Sequence, residues 1–501
     1  MRQMQPGGAA GTLDRGAGPI GRPAYGAWPG LAVGLAFIAI ACAYRLLAFK
    51  VATFDGDEYA FALVARDVLH GHPPNAGVFD NKPVGLTYLF ALAEALGGQT
   101  TAALRALAFT ASAACGALLY ASSRRLGLDR PLALLIAALF MLGTLSMGGF
   151  GAMSELLAAP LLAAANLLLV GARRPARFIG AGIALGLACQ VTYLAAPAAA
   201  LTAAGVFLAG PRRRFTSRLR DGVLVGAACG AAAAAVWLPQ LLAGDLGRYV
   251  AEQVRYHQGY RSAAIDWDYL SLGFAQPLAA MSLPVLAAGL LRADGGTRKP
   301  LSPLAWILGL QLLGAAFAAA ASNRFYPHYL ILALPAAALL TAALLAEAPE
   351  AKRRTGGIVL AAMLALAAAA PAGFLRSRLQ APSIEVKAAA VVDRLTRPDQ
   401  SVFVFDEAHA IYFLAQRSAA SRYVFPTHYL SSCEHAPTIA APDAVLAQAL
   451  ARRPALVLAG RLCPPQIDAE AEVLRAGYRR VDEIKEGDRR IVVYAPVAPG
   501  R

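Results

Sequence analysis

The sequence predicts a polytopic α-helical membrane protein with a C-terminal α/β domain. The chain has 501 residues, of which 57% are hydrophobic and only 15% are charged, whereas a soluble globular domain carries about 25% charged residues. Apolar runs near membrane-spanning length recur along the chain, with short basic clusters between them. Short β-rich and helix-like stretches alternate only in the last quarter of the chain.

The basic residues indicate membrane topology rather than a nucleic-acid partner. The net charge is +15, but the positive residues form short, dispersed clusters instead of one continuous basic face. Clusters of this kind are typical of cytoplasmic loops. We therefore assign to the cytoplasm Arg15 and Arg22; Arg124, Arg125 and Arg130; Arg173, Arg174 and Arg177; Arg212 to Arg220; Arg292, Arg298 and Lys299; and Lys352, Arg353 and Arg354.

With these clusters on one side, the length rule predicts about eleven transmembrane helices. The predicted spans are 30–50, 101–123, 131–149, 156–171, 178–192, 194–210, 222–243, 270–292, 301–321, 329–347 and 356–375. The pair 178–192 and 194–210 is short and Ala-rich. One long helix is the alternative, but it would reverse the side of every later basic cluster. Residues 84–97 are apolar but too short to span, so we expect a juxtamembrane helix on the outer side.

This topology divides the chain into three predicted parts. Residues 1–29 form a disordered cytoplasmic leader, residues 30–375 form the transmembrane domain with an outer loop at 51–100, and residues 376–501 form a soluble periplasmic domain. No small-residue cleavage site follows the first apolar run, so we expect it to remain as an anchor. The expected location is the bacterial inner membrane, with a cytoplasmic N-terminus. All seven histidines then face away from the cytoplasm.

The last part of the chain has the pattern of a small α/β domain. The runs "SVFVFD", "PALVLAG" and "RRIVVYAP" are β-rich, and helix-like stretches such as "APDAVLAQALARR" and "DAEAEVLRAG" alternate with them. Strands that alternate with helices favour an α/β arrangement. Cys433 and Cys463 both fall in this domain, where a disulfide and two free thiols are alternatives.

Acidic residues follow the first apolar run, in "DGDEYAFALVARDVL". The apolar spacing predicts an amphipathic helix with Asp55, Asp57 and Glu58 at its N-terminus. Carboxylates stabilise helix N-termini, which explains one or two of these acids without any further role. Lys82, in "DNKPVG", begins the next interfacial helix. It is either a lysine that extends to the interface or a ligand for an anion at a site shared with the acids.

Two further segments bring polar groups to the same side of the membrane. Glu155 stands at the outer mouth of a predicted span, where a carboxylate is either simply solvated or functional. The turn "SNRFYPHYL" supplies Arg324, His328 and Tyr329, which are either an aromatic belt with a flanking arginine or substrate-binding residues. The outer loop 244–269 is long enough to cover a site.

Together these motifs resemble the GT-C superfamily of glycosyltransferases, in particular the group of protein O-mannosyltransferases and the lipid A aminoarabinose transferase (family 39). The resemblance covers residues 30–375 and implies an inverting transfer of a sugar from a polyprenyl-phosphate donor to an extracytoplasmic acceptor. It implies that Asp57 and Glu155 are catalytic acids and that Lys82 contacts the phosphate. Asn81 stands where an acid often precedes the lysine, and "KPVG" replaces the usual "KPP".

The chemistry agrees with this resemblance. Displacing a lipid phosphate from a sugar requires a base for the incoming hydroxyl and positive charge for the leaving phosphate. Among the acids and polar groups, Asp55, Glu58, Lys82, Arg324, His328 and Tyr329 are the candidates for substrate binding. We expect no cofactor and no dedicated metal site, although two adjacent acids leave a divalent metal possible. The predicted partners are the lipid-linked sugar, membrane lipids and a lipid A/core, glycan or protein acceptor.

A transporter or flippase for a lipid-linked or small solute is the alternative function. Transporters more often have internal repeats and ionisable residues at mid-membrane. The spans between Pro131 and Gly210 carry almost no charged residues, and no inverted repeat is evident. Polar groups on one side of the membrane favour the transferase.

Overall fold

A computed structural model describes residues 27–54, 56–209, 214–261, 267, 269–293, 300–406, 408–429, 439–460 and 468–497. Asp55, Cys433, Cys463 and the leader up to residue 26 lie outside these ranges.

The helices of the N-terminal bundle are α1 (Ala27–Ala48), α2 (Asp57–Leu69), α3 (Val84–Gly97), α4 (Thr101–Arg125), α5 (Arg130–Ser146), α6 (Ser154–Leu169), α7 (Pro175–Cys189), α8 (Ala195–Leu208), α9 (Phe215–Val236), α10 (Leu238–Leu242), α11 (Leu246–Arg261), α12 (Gln276–Arg292), α13 (Pro303–Ala321), α14 (Leu334–Glu347) and α15 (Glu350–Gln380).

Each predicted span overlaps at least one of these helices, and 222–243 covers parts of both α9 and α10. The chain is a multi-pass membrane protein. Residues 84–97 form the separate helix α3, and the Ala-rich pair forms two helices, α7 and α8, as predicted. Among the described residues, six helices are long and apolar enough to cross a membrane. The remaining predicted spans match apolar helices of 14 to 17 residues, so the number of spans stays a prediction.

The shorter helices have a common cause. A bilayer core of about 30 Å needs about 20 helical residues, but α5 has 17 residues and α7 has 15, and both end at the same end of the bundle as α13. The chain there continues as irregular backbone at 147–153 and 190–194, and as a 3₁₀ turn at Pro327–Leu332. Non-helical backbone is tolerated at membrane depth where it lines a cavity. These breaks mark the end of the bundle where a site can form.

Small residues let α7 and α9 pack backbone to backbone. A Cβ atom on Gly182 would lie 2.3 Å from the Val225 carbonyl oxygen, and one on Gly186 would lie 2.2 Å from that of Cys229. Glycine is therefore required at both positions, as is common where membrane helices approach closely. Deeper in the bundle, Asn166 donates from Nδ2 to the Gln311 side-chain oxygen at 2.8 Å, which satisfies both buried amides in part.

The C-terminal domain is a five-stranded mixed sheet with helices around it. Its elements are α16 (Ile384–Leu395), β1 (Ser401–Phe405), α17 (Ala410–Leu414), β2 (Ser418–Ala419), α18 (Pro442–Ala451), β3 (Leu456–Gly460), α19 (Ala469–Arg475), β4 (Tyr478–Glu486) and β5 (Arg489–Pro496). The strand order is β2-β1-β3-β5-β4, parallel from β2 to β3 and antiparallel at β5 and β4. The α/β prediction is confirmed, and β2 and β4 are additional strands.

Candidate functional site

A cavity of about 700 Å³ opens at the end of the bundle where the helices break. Its wall combines the N-terminus of α2, the segment before α3, the breaks after α5 and α7, the helix α11 and the 3₁₀ turn. Residues far apart in the sequence thus meet around one space. The predicted site residues that line it are Asp57, Lys82, His328 and Tyr329.

Asp57 is the first residue of α2, and its side chain borders the cavity. The preceding residue, Gly56, provides no side-chain cap for the helix. The Asp57 carboxylate therefore lies where the free N–H groups and the dipole of α2 favour a negative charge. The acid therefore stands at a helix N-terminus beside an open space. Asp55, two residues earlier in the sequence, lies outside the described residues.

Glu58 points away from the cavity. It is fully buried, and one carboxylate oxygen lies 2.5 Å from Nη1 of Arg105 and accepts the Ala152 N–H at 3.0 Å. Successive helical residues are turned by about 100°, which separates this carboxylate from that of Asp57. Arg105 also donates to the carbonyl oxygens of Val51 and Ala52. The buried ion pair joins α2 to α4 and to the loop before α6.

Lys82 and Glu155 form a second pair at the cavity. The Lys82 ammonium lines the cavity and lies 4.0 Å from a carboxylate oxygen of Glu155. Glu155 itself is fully buried, does not contribute to the cavity wall, and accepts hydrogen bonds from Ser154 Oγ at 2.8 Å and Thr192 Oγ1 at 3.4 Å. Glu155 thus stands behind Lys82 and holds the cation at the wall.

Asp80 is a cavity carboxylate that the sequence reasoning missed. It is buried, and its backbone carbonyl accepts hydrogen bonds from Asn75 Nδ2 and Gln253 Nε2, each at 2.7 Å. Burial raises the pKa of Asp80 to about 6, while nearby Lys82 opposes that rise. The signal was present in "FDNKPVG", where Asp80 is the acid nearest to Lys82 in the sequence.

The helix α11 supplies aromatic groups that the sequence analysis assigned only to a covering loop. Nε2 of His257 donates to the Asn81 carbonyl at 3.2 Å, and this ring packs edge-on against Tyr193 at 5.1 Å. Burial and the charge of Lys82 lower the pKa of His257 to about 4, so the imidazole is neutral at pH 7. Burial raises the pKa of Tyr193 to about 12, so its hydroxyl remains a donor.

The turn at 322–330 contributes two of its three predicted residues to the cavity. His328 and Tyr329 lie on the wall, and the Tyr329 hydroxyl is 3.0 Å from the Tyr260 hydroxyl. Arg324 is buried, does not contribute to the wall, and its guanidinium lies over the Tyr260 ring at 4.6 Å from the ring centroid. Phe325 has a φ of 53°, a conformation that non-glycine residues rarely adopt. Such strain often accompanies functional turns.

The cavity has a polar part and an apolar part. Asp57, Asp80 and Lys82 carry the charge, whereas Leu194, Pro197, Phe317, Ala318 and Ala321 form a hydrocarbon wall from α8 and α13. A space with these two parts fits an amphiphile that has a charged head and an apolar chain. Among the described residues, no group of three or more His, Cys, Asp or Glu lies close enough together to hold a metal ion.

Comparison with solved structures shows the same fold in a known protein. A crystal structure of ArnT from Cupriavidus metallidurans bound to undecaprenyl phosphate matches 92% of this chain and 97% of that one, with a TM-score of 0.62 and 12% identity. ArnT in the apo state matches with a TM-score of 0.61 and 13% identity over the same shares. No protein-family model and no curated protein matches the sequence. The fold is thus that of ArnT, the GT-C fold that the sequence resemblance implied.

Proposed function

We propose that the protein is an integral-membrane inverting glycosyltransferase that moves a sugar from a polyprenyl-phosphate donor to an extracytoplasmic acceptor. The observation that carries this proposal is the cavity itself, where Asp57 and Lys82 share one wall with an apolar surface from α8 and α13. A lipid-linked sugar phosphate has the same division between a polar head and a hydrocarbon chain. The ArnT fold, seen in a complex with undecaprenyl phosphate, supports this assignment.

Each cavity residue has a role in this reaction. Asp57 accepts the proton of the acceptor hydroxyl as its oxygen attacks the anomeric carbon. The bond from that carbon to the phosphate oxygen breaks, and its electron pair stays on the phosphate, where Lys82 offsets the added charge. Attack from the side opposite the phosphate inverts the configuration. The products are the glycosylated acceptor and polyprenyl phosphate.

We assign Glu155 a role through Lys82 rather than direct contact with the sugar. The sequence resemblance predicted a catalytic acid, but the carboxylate lies behind the lysine and accepts hydrogen bonds from two hydroxyls. An opposite charge nearby stabilises a partly buried ammonium. Glu155 therefore stabilises the Lys82 ammonium and orients it before the donor phosphate arrives.

The remaining polar residues complete the binding of the substrate. His328 and Tyr329 can donate to phosphate or sugar oxygens, and Asp80 can accept from sugar hydroxyls. Arg324 acts through Tyr260, over which it lies. The mechanism described above includes no step on a metal ion. Whether transfer depends on a divalent ion bound beside Asp57 and Asp80 is tested by measuring the transfer rate with and without a chelator.

The basic clusters support an orientation in which the cavity faces the periplasm of a bacterial inner membrane. The N-terminus would then be cytoplasmic and the C-terminal domain periplasmic. A phosphatase fused at residue 400 should be active, and a reporter that works only in the cytosol should be silent there. The reverse result would contradict the orientation and the extracytoplasmic acceptor together.

Donor binding can be tested with undecaprenyl phosphate as the probe. Native mass spectrometry of the purified protein should detect a complex with undecaprenyl phosphate but much less with undecaprenol, which lacks the phosphate. Mass spectrometry of surface glycans, lipid A and proteins from a deletion strain then identifies the acceptor as the one that loses a sugar. A protein that binds neither lipid would contradict the proposed function.

A further inference from the structure

One aromatic residue of the C-terminal domain belongs to the cavity wall. Phe425 follows the short strand β2 and borders the cavity, together with residues of the membrane bundle. The soluble domain was predicted only as a separate unit at the end of the chain. Its contribution to the wall raises the question of how firmly it is held there.

The first attachment lies directly beside Asp57. Nε2 of His409, at the start of α17, donates to the carbonyl oxygen of Gly56 at 2.6 Å. The approach is so close that a Cβ atom on Gly56 would lie 2.6 Å from Cε1 of His409. The His409 ring in turn packs edge-on against Phe425 at 4.7 Å. His409 thus connects Phe425 to the N-terminus of α2.

The second attachment joins the segment before α3 and the helix α11. Arg422 donates from Nη1 to the Glu252 carboxylate at 2.8 Å and from Nη2 to the Asn75 carbonyl at 2.8 Å. Its own carbonyl accepts the Phe79 N–H at 2.8 Å. Asn75 and Phe79 precede Asp80 and Lys82, and Glu252 lies on the helix that carries His257. Two elements of the site therefore contact Arg422, and a third, α2, is contacted through His409.

Aromatic packing fixes the remaining face of Phe425. His428 is fully buried, with its ring centroid 5.5 Å from Phe425, 4.7 Å from Phe79 and 5.6 Å from Tyr256. Burial lowers the pKa of His428 to about 3, so the ring is neutral at pH 7 and packs as an apolar group. Phe425 is therefore held from behind by rings, while one side borders the cavity.

We propose that the donor sugar ring packs against Phe425, which makes the C-terminal domain part of the active site and a determinant of sugar specificity. This inference rests on the proposed function. A sugar ring has an apolar C–H face, and a phenylalanine ring offers a matching surface without a polar atom. Asp57 and Asp80 supply hydrogen-bond acceptors elsewhere on the wall. Few polar groups and an aromatic wall are the usual means of orienting a small ligand.

The test compares bare undecaprenyl phosphate with a panel of undecaprenyl phosphates that carry a hexose, a pentose or an amino-pentose. Competition binding by native mass spectrometry should identify a panel member that wild-type protein prefers over the bare lipid. Phe425→Ala should weaken the binding of that member roughly 2- to 13-fold, in line with the loss of one aromatic contact, and leave the affinity for the bare lipid unchanged. Phe425→Leu, which keeps apolar volume without the ring, should have the same selective effect.

Leu474→Ala provides a matched control, since Leu474 is exposed on α19 of the same domain and does not border the cavity. It should leave both affinities unchanged. Equal binding of the preferred member by wild type and both Phe425 variants would overturn the inference and leave the proposed function standing. A wild type that prefers no member would also overturn the inference. Wild-type protein that binds no lipid in the panel would overturn both.

Discussion

The Lys82 ammonium lies 4.0 Å from the Glu155 carboxylate, and this pair joins the segment before α3 to the first turn of α6. Because Lys82 borders the cavity and Glu155 does not, the cation faces the cavity and the anion lies within the protein. Lys82→Ala should therefore weaken undecaprenyl phosphate binding by roughly 10- to 100-fold, the usual value of a hydrogen bond to a charged group. Lys82→Arg, which keeps the positive charge, should retain part of the wild-type affinity.

Glu155→Gln tests whether Glu155 supports Lys82 through its negative charge or only through its hydrogen bonds. The variant keeps an oxygen that can accept from Ser154 and Thr192 but removes the counter-charge of Lys82. It should retain lipid binding better than Lys82→Ala while turnover falls. Unchanged lipid affinity in Lys82→Ala would instead indicate that this lysine merely extends to the interface.

Asp57→Asn tests the general base. The change is nearly isosteric and removes the ability to accept a proton, so turnover should fall about 10²- to 10⁴-fold while lipid binding survives. Asp55→Asn is the matched control, two residues earlier in the sequence, and should cost less. Wild-type turnover in folded, membrane-inserted Asp57→Asn would rule out this residue and make Asp80 the next acid to test.

Asp80→Asn should make the protein more stable and less active. The pKa of Asp80 is about 6 in the folded protein, against about 3.9 in an unfolded chain. The folded state therefore holds the proton more tightly. The free energy of unfolding falls as the pH rises from about 3.9, the unfolded pKa, through about 6, the folded pKa. The variant should gain up to about 3 kcal/mol at pH 7.5 and nothing near pH 4. Thermal unfolding in detergent across this pH range provides the measurement, and a gain independent of pH would contradict it.

Glu58→Gln should act on stability rather than on substrate binding. Removing one partner of a buried pair leaves the Arg105 charge uncompensated, which costs about 3–5 kcal/mol. Glu350→Gln is the matched control, because Glu350 pairs with Arg354 on an exposed helix face, where a pair contributes about 0.5 kcal/mol or less. Thermal unfolding of both variants provides the comparison. A stable Glu58→Gln with reduced lipid affinity would return Glu58 to substrate binding.

Gly56→Ala probes the junction between the two domains. Gly56 has φ −67° and ψ −36°, a conformation that alanine adopts without strain, so any damage must come from contact with His409. We expect overpacking to cost about 1–3 kcal/mol and turnover to fall. Combining Gly56→Ala with His409→Ala should be no worse than His409→Ala alone, which a double-mutant cycle measures.

Gly226→Ala is the control for this junction, since nothing lies within 4 Å of a Cβ atom built at Gly226 in α9. It should be neutral or slightly stabilising. Additive effects of Gly56→Ala and His409→Ala would show that the two residues act independently and that the close contact is not responsible.

Hydropathy predicted the helices of the bundle but not where they end at the cavity. The predicted span 131–149 runs past the end of α5 at Ser146, and the span 329–347 begins before α14 does at Leu334. Met147 and Leu330 are apolar, so the hydropathy pattern continues through backbone that is no longer helical. Helix ends that line a cavity cannot be separated from helix interiors by composition alone.

The local sequence pattern predicted some residues of the candidate site. It did not predict those whose position depends on contacts with residues far away in the sequence. Asp57 and Lys82 stood out because charges are rare beside apolar runs, and both border the cavity. Glu58 has the same local pattern as Asp57, and only the position of Arg105 distinguishes them. Phe425 carried no signal, since a phenylalanine in a β-rich domain is most simply a core residue. Their roles in catalysis remain predictions.

The central claim is the transfer of a sugar from a polyprenyl-phosphate carrier. The most direct measurement incubates purified protein with membranes of the deletion strain and the panel of undecaprenyl phosphates, each with an isotopically labelled sugar. The account predicts that wild type moves the label from the carrier to another molecule and that Asp57→Asn does not. Label that stays on the carrier with every sugar, in wild-type protein that binds the lipid, would contradict a transferase and favour a carrier of lipid-linked sugars.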